Sequence, residues 1–440
     1  VANIKELTTL MRQLEDQLVV CMRCGMCQAV CPVFAQTGRE ADVARGKLAL
    51  LDGLLLEMFD DPRGVNERLN RCLLCGSCAA NCPSGVNVLD IFLKARAIIT
   101  GYLGLPAAKK IILRRLLAHP HLLDRVAEWG AKFQKVLTRP VNDIVGTSCA
   151  RFASPLLADR HFRPLAPVPF HRLVPSLDTR PGGSGVNVAF FVGCLIDKIF
   201  PNVAQAAIKV FAHHGVGVLI PEGQGCCGIP AVSSGDSQTF RELVRYNLDR
   251  FATEKFDYLV TACATCTSTI KKVWPSLLDT ESQDLKDTVQ SLAERVVDIN
   301  QFLVTHLPVP LPAVTPAGRD NAVKVSYHDP CHLKKSLGVA NEPRSLLRST
   351  PGYELVEMAE ADSCCGMGGS FNLSYYDLSS RIGRLKRDHI KASGCAVVAT
   401  GCPACMLQIS EILSKHGDQI AVKHPVEIYA DGLPGSVSEL

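Results

Sequence analysis

The sequence predicts an α+β multidomain protein: a helical N-terminal domain followed by a duplicated α/β unit with parallel sheets. Three observations predict it. Eighteen of the twenty cysteines fall into four repeating patterns, two of one kind near the N-terminus and two of another kind further on. The stretches around the first two patterns carry apolar residues at helical spacing. Over residues 186–440, short apolar runs alternate with helical stretches twice in the same order, the signature of β–α–β packing.

The first pattern reads Cys21-x-x-Cys24-x-x-Cys27-x-x-x-Cys31-Pro32 and recurs as Cys72-x-x-Cys75-x-x-Cys78-x-x-x-Cys82-Pro83. Bacterial ferredoxins hold [4Fe–4S] clusters with this run. Three thiolates two residues apart can wrap one cluster while their backbone amides face its sulfides. The fourth cysteine, cut off by proline, points away to the other cluster. The expected ligand sets are therefore Cys21, Cys24, Cys27 and Cys82 for one cluster, and Cys72, Cys75, Cys78 and Cys31 for the second. Disulfide frameworks belong to small domains in oxidising compartments. Structural zinc explains one C-x-x-C pair but not two complete runs. Forty residues separate Cys31 from Cys72. Within them, 41–59 is helix-prone, with Leu48, Leu50, Leu51, Leu54 and Leu55 on an apolar face. A helix is also predicted over 88–99, capped near Asn87. Residues 1–100 are thus expected to form an α-helical bis-[4Fe–4S] ferredoxin domain.

A chain of 440 residues implies two or three domains, and its 47% hydrophobic content is ample for buried cores. A net charge of +4 gives no case for nucleic acid. No apolar run reaches the roughly 18–20 residues of a membrane span. The first residues are mixed polar, with Lys5, Glu6, Arg12, Glu15 and Asp16, and lack the apolar stretch of a secretory signal. Reduced thiols and oxygen-sensitive clusters then point to the cytoplasm.

Residues 101–185 are expected to connect the two parts. One or two helices over 104–139 are interrupted at Pro120 and are basic, with Lys109, Lys110, Arg114, Arg115, Arg125, Lys132, Lys135 and Arg139 against Asp124 and Glu128. A membrane-surface helix and an amphipathic helix packed on a partner or on this chain both fit. The Pro-, Arg- and Gly-rich stretch 140–185 is expected to be a linker lying across the surface.

The remainder is an internal repeat, with units at 186–315 and 316–440. Strands are expected at 186–192, 217–220 and 258–261, and at 323–327, 354–357 and 396–400. The first strand of each unit leads to Cys194 or Cys331, the second to Cys226-Cys227-Gly228 or Cys364-Cys365-Gly366. The third leads to Cys263-x-x-Cys266 or Cys402-x-x-Cys405. Corresponding landmarks lie 137, 138 and 139 residues apart, which argues for duplication. Sites in open α/β sheets gather at the carboxyl ends of strands, so each unit brings five cysteines to one end of its sheet.

This second pattern resembles the cysteine-rich CCG domain of the heterodisulfide reductase catalytic subunit. The layout of a helical ferredoxin followed by two CCG domains resembles the iron–sulfur subunits of glycolate oxidase and of respiratory lactate dehydrogenases, as does the stretch Arg23–Phe34 followed by Arg45-Gly46-Lys47. The resemblance implies one or two further iron–sulfur clusters, of the noncubane [4Fe–4S] kind in the reductase. Their ligands would be Cys194, Cys226, Cys227, Cys263 and Cys266, and Cys331, Cys364, Cys365, Cys402 and Cys405. Zinc and free redox-active thiols are the alternatives at these ten positions. The family's role implies an electron-transfer subunit with no catalytic residues of its own, served by an FAD-containing dehydrogenase that oxidises lactate or glycolate. It passes electrons to a quinone or other acceptor, in the cytoplasm or peripheral on the cytoplasmic face of the inner membrane. No P-loop and no G-x-G-x-x-G follows a strand here, so hydroxyacid oxidation is expected on the partner chain. A disulfide- or quinone-reducing subunit of the heterodisulfide reductase kind, and the iron–sulfur subunit of an anaerobic glycerol-3-phosphate dehydrogenase, share these features and remain open. Cys149 and Cys395 have no partner spacing and are expected to be plain thiols. His328 and His332 flank Cys331 and can tune a cluster or serve a turn, whereas His213-His214 is expected to be structural.

Overall fold

Residues 4–151, 160–251, 255–278, 281–307 and 322–434 are described by the computed structural model. The N-terminal part is helical. Helices Ile4–Met11, Ala44–Leu55, Arg63–Asn70 and Val88–Leu103 enclose a core that includes Leu7, Met11, Leu51, Leu69, Phe92 and Ile99. The predicted 41–59 helix is shorter at both ends, and the 88–99 helix runs on to Leu103, where Gly104 takes a left-handed φ of 80° and stops it. The 104–139 stretch is helical from Ala107 to Leu117 and again over Pro120–Leu137.

The surface-linker expectation for 140–185 is corrected by the structure. Strands β1 (Thr138–Asn142), β2 (Thr147–Ala150) and β3 (His161–Phe162) form an antiparallel sheet. The β2 residues Thr147, Ser148 and Cys149 are buried. Thr147 and His161 both hydrogen-bond Ser414, and Asn142 Nδ2 donates to the Asp418 carbonyl, so this sheet clasps the second repeat unit. Strand β4 (Leu177–Asp178) then joins the sheet of the first unit, antiparallel at its edge. Each of these strands is two to five residues long, too short to show a periodicity, and β4 alone of the four pairs with a strand that is not its neighbour in the chain.

The first unit contains β5 (Asn187–Phe191), β6 (Gly217–Ile220), β7 (Tyr258–Thr261) and β8 (Val296–Asp298). The second contains β9 (Val323–Tyr327), β10 (Tyr353–Leu355), β11 (Val397–Ala399) and β12 (Ala421–Lys423). The sheet orders are β4-β6-β5-β7-β8 and β10-β9-β11-β12, all parallel except β4. The two units thus repeat one topology, including a fourth strand that the sequence pattern did not reveal. The expected boundary between units at 315/316 lies outside the described residues.

The units pack reciprocally, as a pseudo-twofold pair. Helix Ala264–Ser268 of the first lies on Cys331–Leu337 of the second, and Pro403–Lys415 of the second meets Cys194–Lys198 of the first. Likewise Pro201–His213 packs on Pro425–Asp431, and Asn341–Arg348 on Ile299–Gln301. His214 fits its structural expectation, stacking on Tyr429 and hydrogen-bonding its hydroxyl at 3.0 Å.

Candidate functional site

Both N-terminal cysteine runs adopt the same backbone. Arg23 and Leu74 take positive φ values of 56° and 53°, and Gly25 and Gly76 follow at 87° and 74°. Left-handed non-glycine residues are uncommon and cluster at functional sites. Here they curl each run so that its cysteines face inward. Cys21, Cys24, Cys27 and Cys82 line one partly open cavity of about 380 Å³, with Cys78 at its inner side. Cys31, Cys72, Cys75 and Cys78 line a second, of about 420 Å³. Cys24 is exposed.

In the repeat units, Cys194 and Cys331 start short helices beyond β5 and β9, and the C-x-x-C pairs start helices beyond β7 and β11. Gly228 and Gly366, at φ 91° and 95°, turn the chain directly after each cysteine pair. An added Cβ would meet the Phe240 ring at 2.8 Å or the Ser379 carbonyl at 2.7 Å, so only glycine fits. Cys194 and Cys226 sulfurs lie 3.8 Å apart and Cys365 and Cys405 sulfurs 3.4 Å apart.

The sulfurs continue from site to site. Cys75 of the helical part hydrogen-bonds Cys364 of the second unit. From Cys364 the contacts run to Cys331 and Cys365, then Cys405, then Cys402. Cys402 meets Cys263 of the first unit, and Cys266, Cys227, Cys226 and Cys194 follow. At the seam the Ala264 N–H donates to the Gly401 carbonyl at 2.9 Å, and Thr265 Oγ1 lies 3.3 Å from Cys402 Sγ. His332 sits where the three parts meet, with Nε2 3.2 Å from the Leu74 carbonyl and Nδ1 3.1 Å from Thr265 Oγ1.

The donor set fits iron–sulfur chemistry. All twenty cysteines are free. Backbone N–H groups donate to sulfur at Cys31 (from Phe34, 3.4 Å), Cys72 (from Leu74, 3.4 Å), Cys226 (from Gly228, 3.5 Å) and Cys364 (from Gly366, 3.4 Å). Such bonds to sulfur set cluster potentials. Burial pushes the Cys31 thiol up to about 11, and also raises Cys27, so metal binding there must release protons. Two buried cations, Lys47 and Lys386, and the half-buried Lys335 offset the negative charge of thiolates. Lys47 lies beside Cys31 and Cys72, Lys335 beside Cys331, Cys75 and Cys364, and Lys386 beside Cys365, Cys331 and Cys364. A ring nitrogen of His328 is within 4.8 Å of the Cys365 and Cys405 sulfurs. Lys47 was noted in the sequence only as part of the Arg45-Gly46-Lys47 stretch, and Lys335 and Lys386 were not found there, because nothing near them in the chain marks their place beside the cysteines. Cys149 accepts from Arg139 Nε at 3.4 Å and Cys395 points at the Ile390 carbonyl at 3.7 Å, both as isolated buried thiols.

Comparison with known proteins agrees with this arrangement. The 4Fe-4S dicluster domain model matches residues 17–86, and the CCG cysteine-rich domain model matches 188–271 and 325–410. The chain is 29% identical over 428 residues to the probable glycolate oxidase iron–sulfur subunit of Bacillus subtilis, covering 92% of this chain and 90% of the relative. It is 30% identical over 406 residues to a subunit of the CoM/CoB fumarate reductase of Methanothermobacter marburgensis, covering 90% of this chain and 68% of the relative. It is 31% identical over 247 residues to lactate utilization protein A of an Exiguobacterium species, covering 56% of this chain and 98% of the relative. With its dicluster domain, its two CCG domains and their crowded thiols, the chain belongs to the family of multi-cluster iron–sulfur subunits of the glycolate oxidase and respiratory lactate dehydrogenase type.

Proposed function

We propose that this chain is the electron-transfer subunit of a 2-hydroxyacid (lactate or glycolate) dehydrogenase complex, taking electrons from an FAD-containing partner and delivering them to a quinone or other acceptor. The observation that carries this reading is the unbroken series of cysteine sulfurs from Cys75 to Cys194. A subunit that only held clusters for stability would have no need to align them across three folded parts.

The proposed ligands are Cys21, Cys24, Cys27 and Cys82 for one [4Fe–4S] cluster, and Cys31, Cys72, Cys75 and Cys78 for the other. The cavity linings support these sets. Two five-cysteine sets, Cys194/226/227/263/266 and Cys331/364/365/402/405, would hold the further clusters. When bound, the clusters supply one-electron carriers. The chain's own residues space them, exclude water and set their electrostatics through N–H···S bonds and buried lysines. The entry side is the exposed Cys24 end, where Met22 and Met26 offer apolar surface to a flavoprotein. Iron and sulfide analysis of anaerobically purified protein should give about 16 iron atoms per chain, and a count near eight would remove the CCG clusters. The isolated chain should not oxidise lactate, glycolate or glycerol-3-phosphate, while the native complex should co-purify with a flavoprotein. Turnover by the pure chain would refute the division of labour.

The complex is further read as peripheral to the cytoplasmic face of the inner membrane. No helix among the described residues is long and apolar enough to cross a membrane. Helix Pro120–Leu137, however, exposes Leu122, Val126, Trp129, Phe133 and Val136 as one stripe, beside Arg125, Lys132 and Lys135. An apolar stripe with interfacial aromatics and a basic border matches an anionic bilayer surface. The intact complex should float with anionic vesicles, and Trp129→Glu should abolish flotation. Flotation unaffected by that change would assign the stripe to a partner protein.

A reductase acting on a disulfide at its CCG sites is the second reading, favoured by the completeness of both five-cysteine sets.

A further inference from the structure

We propose that the cleft beside Cys194 and Cys226 binds a lipid-soluble quinone, with His171 as its proton donor. The inference rests on the proposed relay and specifies where that relay ends. The cleft encloses about 570 Å³ of non-atom space, including its mouth. It lies beyond the carboxyl ends of β5 and β6, where α/β sheets place their ligands. Its floor contains Cys194 and Cys226, the last sulfurs of the series that starts at Cys75.

The walls are mostly apolar, with Leu117, Leu123, Phe170, Val174 and Ile220 contributing. Their polar part is balanced. Lys198 bridges Asp124 at 2.7 Å and Asp197 at 2.5 Å. His171 places Nδ1 2.9 Å from Asp197 and Nε2 3.1 Å from Glu128, which also pairs with Arg172 at 2.8 Å. Three cationic and three anionic groups are thus mutually paired, leaving no net charge to select an anionic ligand. Lys198 already supplies the cation between Asp124 and Asp197, so no metal ion is called for there. What remains is an apolar slot with one group that exchanges protons near neutral pH, held protonated by its carboxylates. That combination suits a neutral acceptor that takes up electrons together with protons.

Reducing a quinone to its hydroquinone adds two electrons and two protons. The electrons are those the flavoprotein partner withdraws from its hydroxyacid. Each proton moves by breaking the Nε2–H bond of His171, which turns from Glu128 while Glu128 keeps Arg172 as its partner, and by forming an O–H bond on a quinone oxygen; a proton from solvent water then restores the imidazolium. Delivery fits the same geometry. Leu123 and Asp124 line the cleft from the helix whose other face exposes the Leu122–Trp129–Phe133 stripe, so one helix faces both the cleft and the proposed bilayer contact.

The test uses the cluster-loaded complex and a photoreactive azido-naphthoquinone with a short alkyl tail. Labelling should fall on peptides containing Leu117–Asp124 or Phe170–Pro175 and be competed by decylubiquinone. Leu123→Trp and Val174→Trp, which fill the slot, should each lower labelling by at least about tenfold with iron content and cluster spectra unchanged, a loss of roughly 1.4 kcal/mol or more in binding. His171→Gln should keep labelling and flatten the pH profile of quinol formation. Labelling elsewhere, or undiminished labelling in both tryptophan variants, would overturn the proposal, as would better competition by an anionic disulfide. Ferricyanide reduction by the wild-type complex separates the two levels. If it fails, the relay reading falls; if it succeeds while labelling misses the cleft, only the quinone site falls.

Discussion

At the scale of single residues, the fourth cysteine of each N-terminal run carries the proposed crossing between the two clusters. Cys31 belongs by sequence to the first run, yet it lines the cavity of Cys72, Cys75 and Cys78. Cys82 belongs to the second run and lines the cavity of Cys21, Cys24 and Cys27. Cys31→Ser should therefore alter the same cluster signal as Cys75→Ser, and Cys82→Ser the same signal as Cys24→Ser. Paramagnetic resonance of the reduced single variants checks this, and paired signatures within each run would refute the crossing. The cysteines were legible in the sequence because ligand spacing is a local property. The left-handed Arg23 and Leu74 were not, since neither residue type favours positive φ, and only the finished loop imposes it. The buried cations were also hidden. Arg96 is 3% exposed and donates to the carbonyls of Leu69, Cys72 and Ser233, acceptors that come together only in the fold.

At the scale of elements, the duplication was legible through its cysteine landmarks, while the fourth strands β8 and β12 were not, being three residues each. The two units cap the helices after those strands with different residues. Asp298 caps the helix after β8, accepting from the Asn300 N–H at 2.9 Å. His424 caps the helix after β12, its Nδ1 accepting from the Val426 N–H at 3.1 Å. Both are fully buried, and burial disfavours the charged form of each: it pushes Asp298 up to about 7 and His424 down to about 3. The signs are opposite. The raised Asp298 contributes fully below its unfolded value near 3.9, and its contribution is lost as pH rises through about 7. The lowered His424 contributes fully above its unfolded value near 6.5, and its contribution is lost as pH falls through about 3. Asn keeps a capping oxygen at either place without titrating. The advantage of Asp298→Asn over wild type should therefore grow by about 1.4 kcal/mol per pH unit between pH 5 and 7. That of His424→Asn should grow as pH falls from 6 to 4. Denaturant unfolding of the cluster-loaded protein at these pH values measures both, and pH-independent differences would show that burial does not shift the two caps.

At the scale of the whole molecule, the proposed relay requires the helical part to meet the CCG units closely, and glycines mark both seams. Gly235 of the first unit would, with a Cβ, come within 2.2 Å of Thr100 Oγ1 and 2.5 Å of the Arg96 carbonyl. Gly368 of the second unit would come within 2.5 Å of Leu73 Cδ2 and 3.2 Å of Leu73 Cα. Both sit at positive φ, 83° and 52°, so alanine also strains the backbone there. The seams differ in what lies behind them. The Gly235 seam holds the one Arg96 hydrogen bond to the Ser233 carbonyl, and although Arg96 also donates to the Cys72 carbonyl, no cysteine pair of the proposed relay crosses this seam. The Gly368 seam presses on the loop between Cys72 and Cys75, and Cys75 is the residue that reaches Cys364. Each hydrogen bond to a buried charge is worth about 1.5–3 kcal/mol, so Gly235→Ala, by loosening Arg96, should lower stability at least as much as Gly368→Ala. Iron content should be retained in both. Electron passage from the dicluster domain to the CCG centres should slow several-fold in Gly368→Ala alone, because that substitution pushes Leu73, and Cys75 with it, away from the second unit. Rapid-mixing reduction followed by freeze-trapped paramagnetic resonance resolves the two populations of clusters. Equal slowing in both variants would mean that general loosening governs transfer, and the close approach of Cys75 to Cys364 would lose its role as the bridge between the two halves.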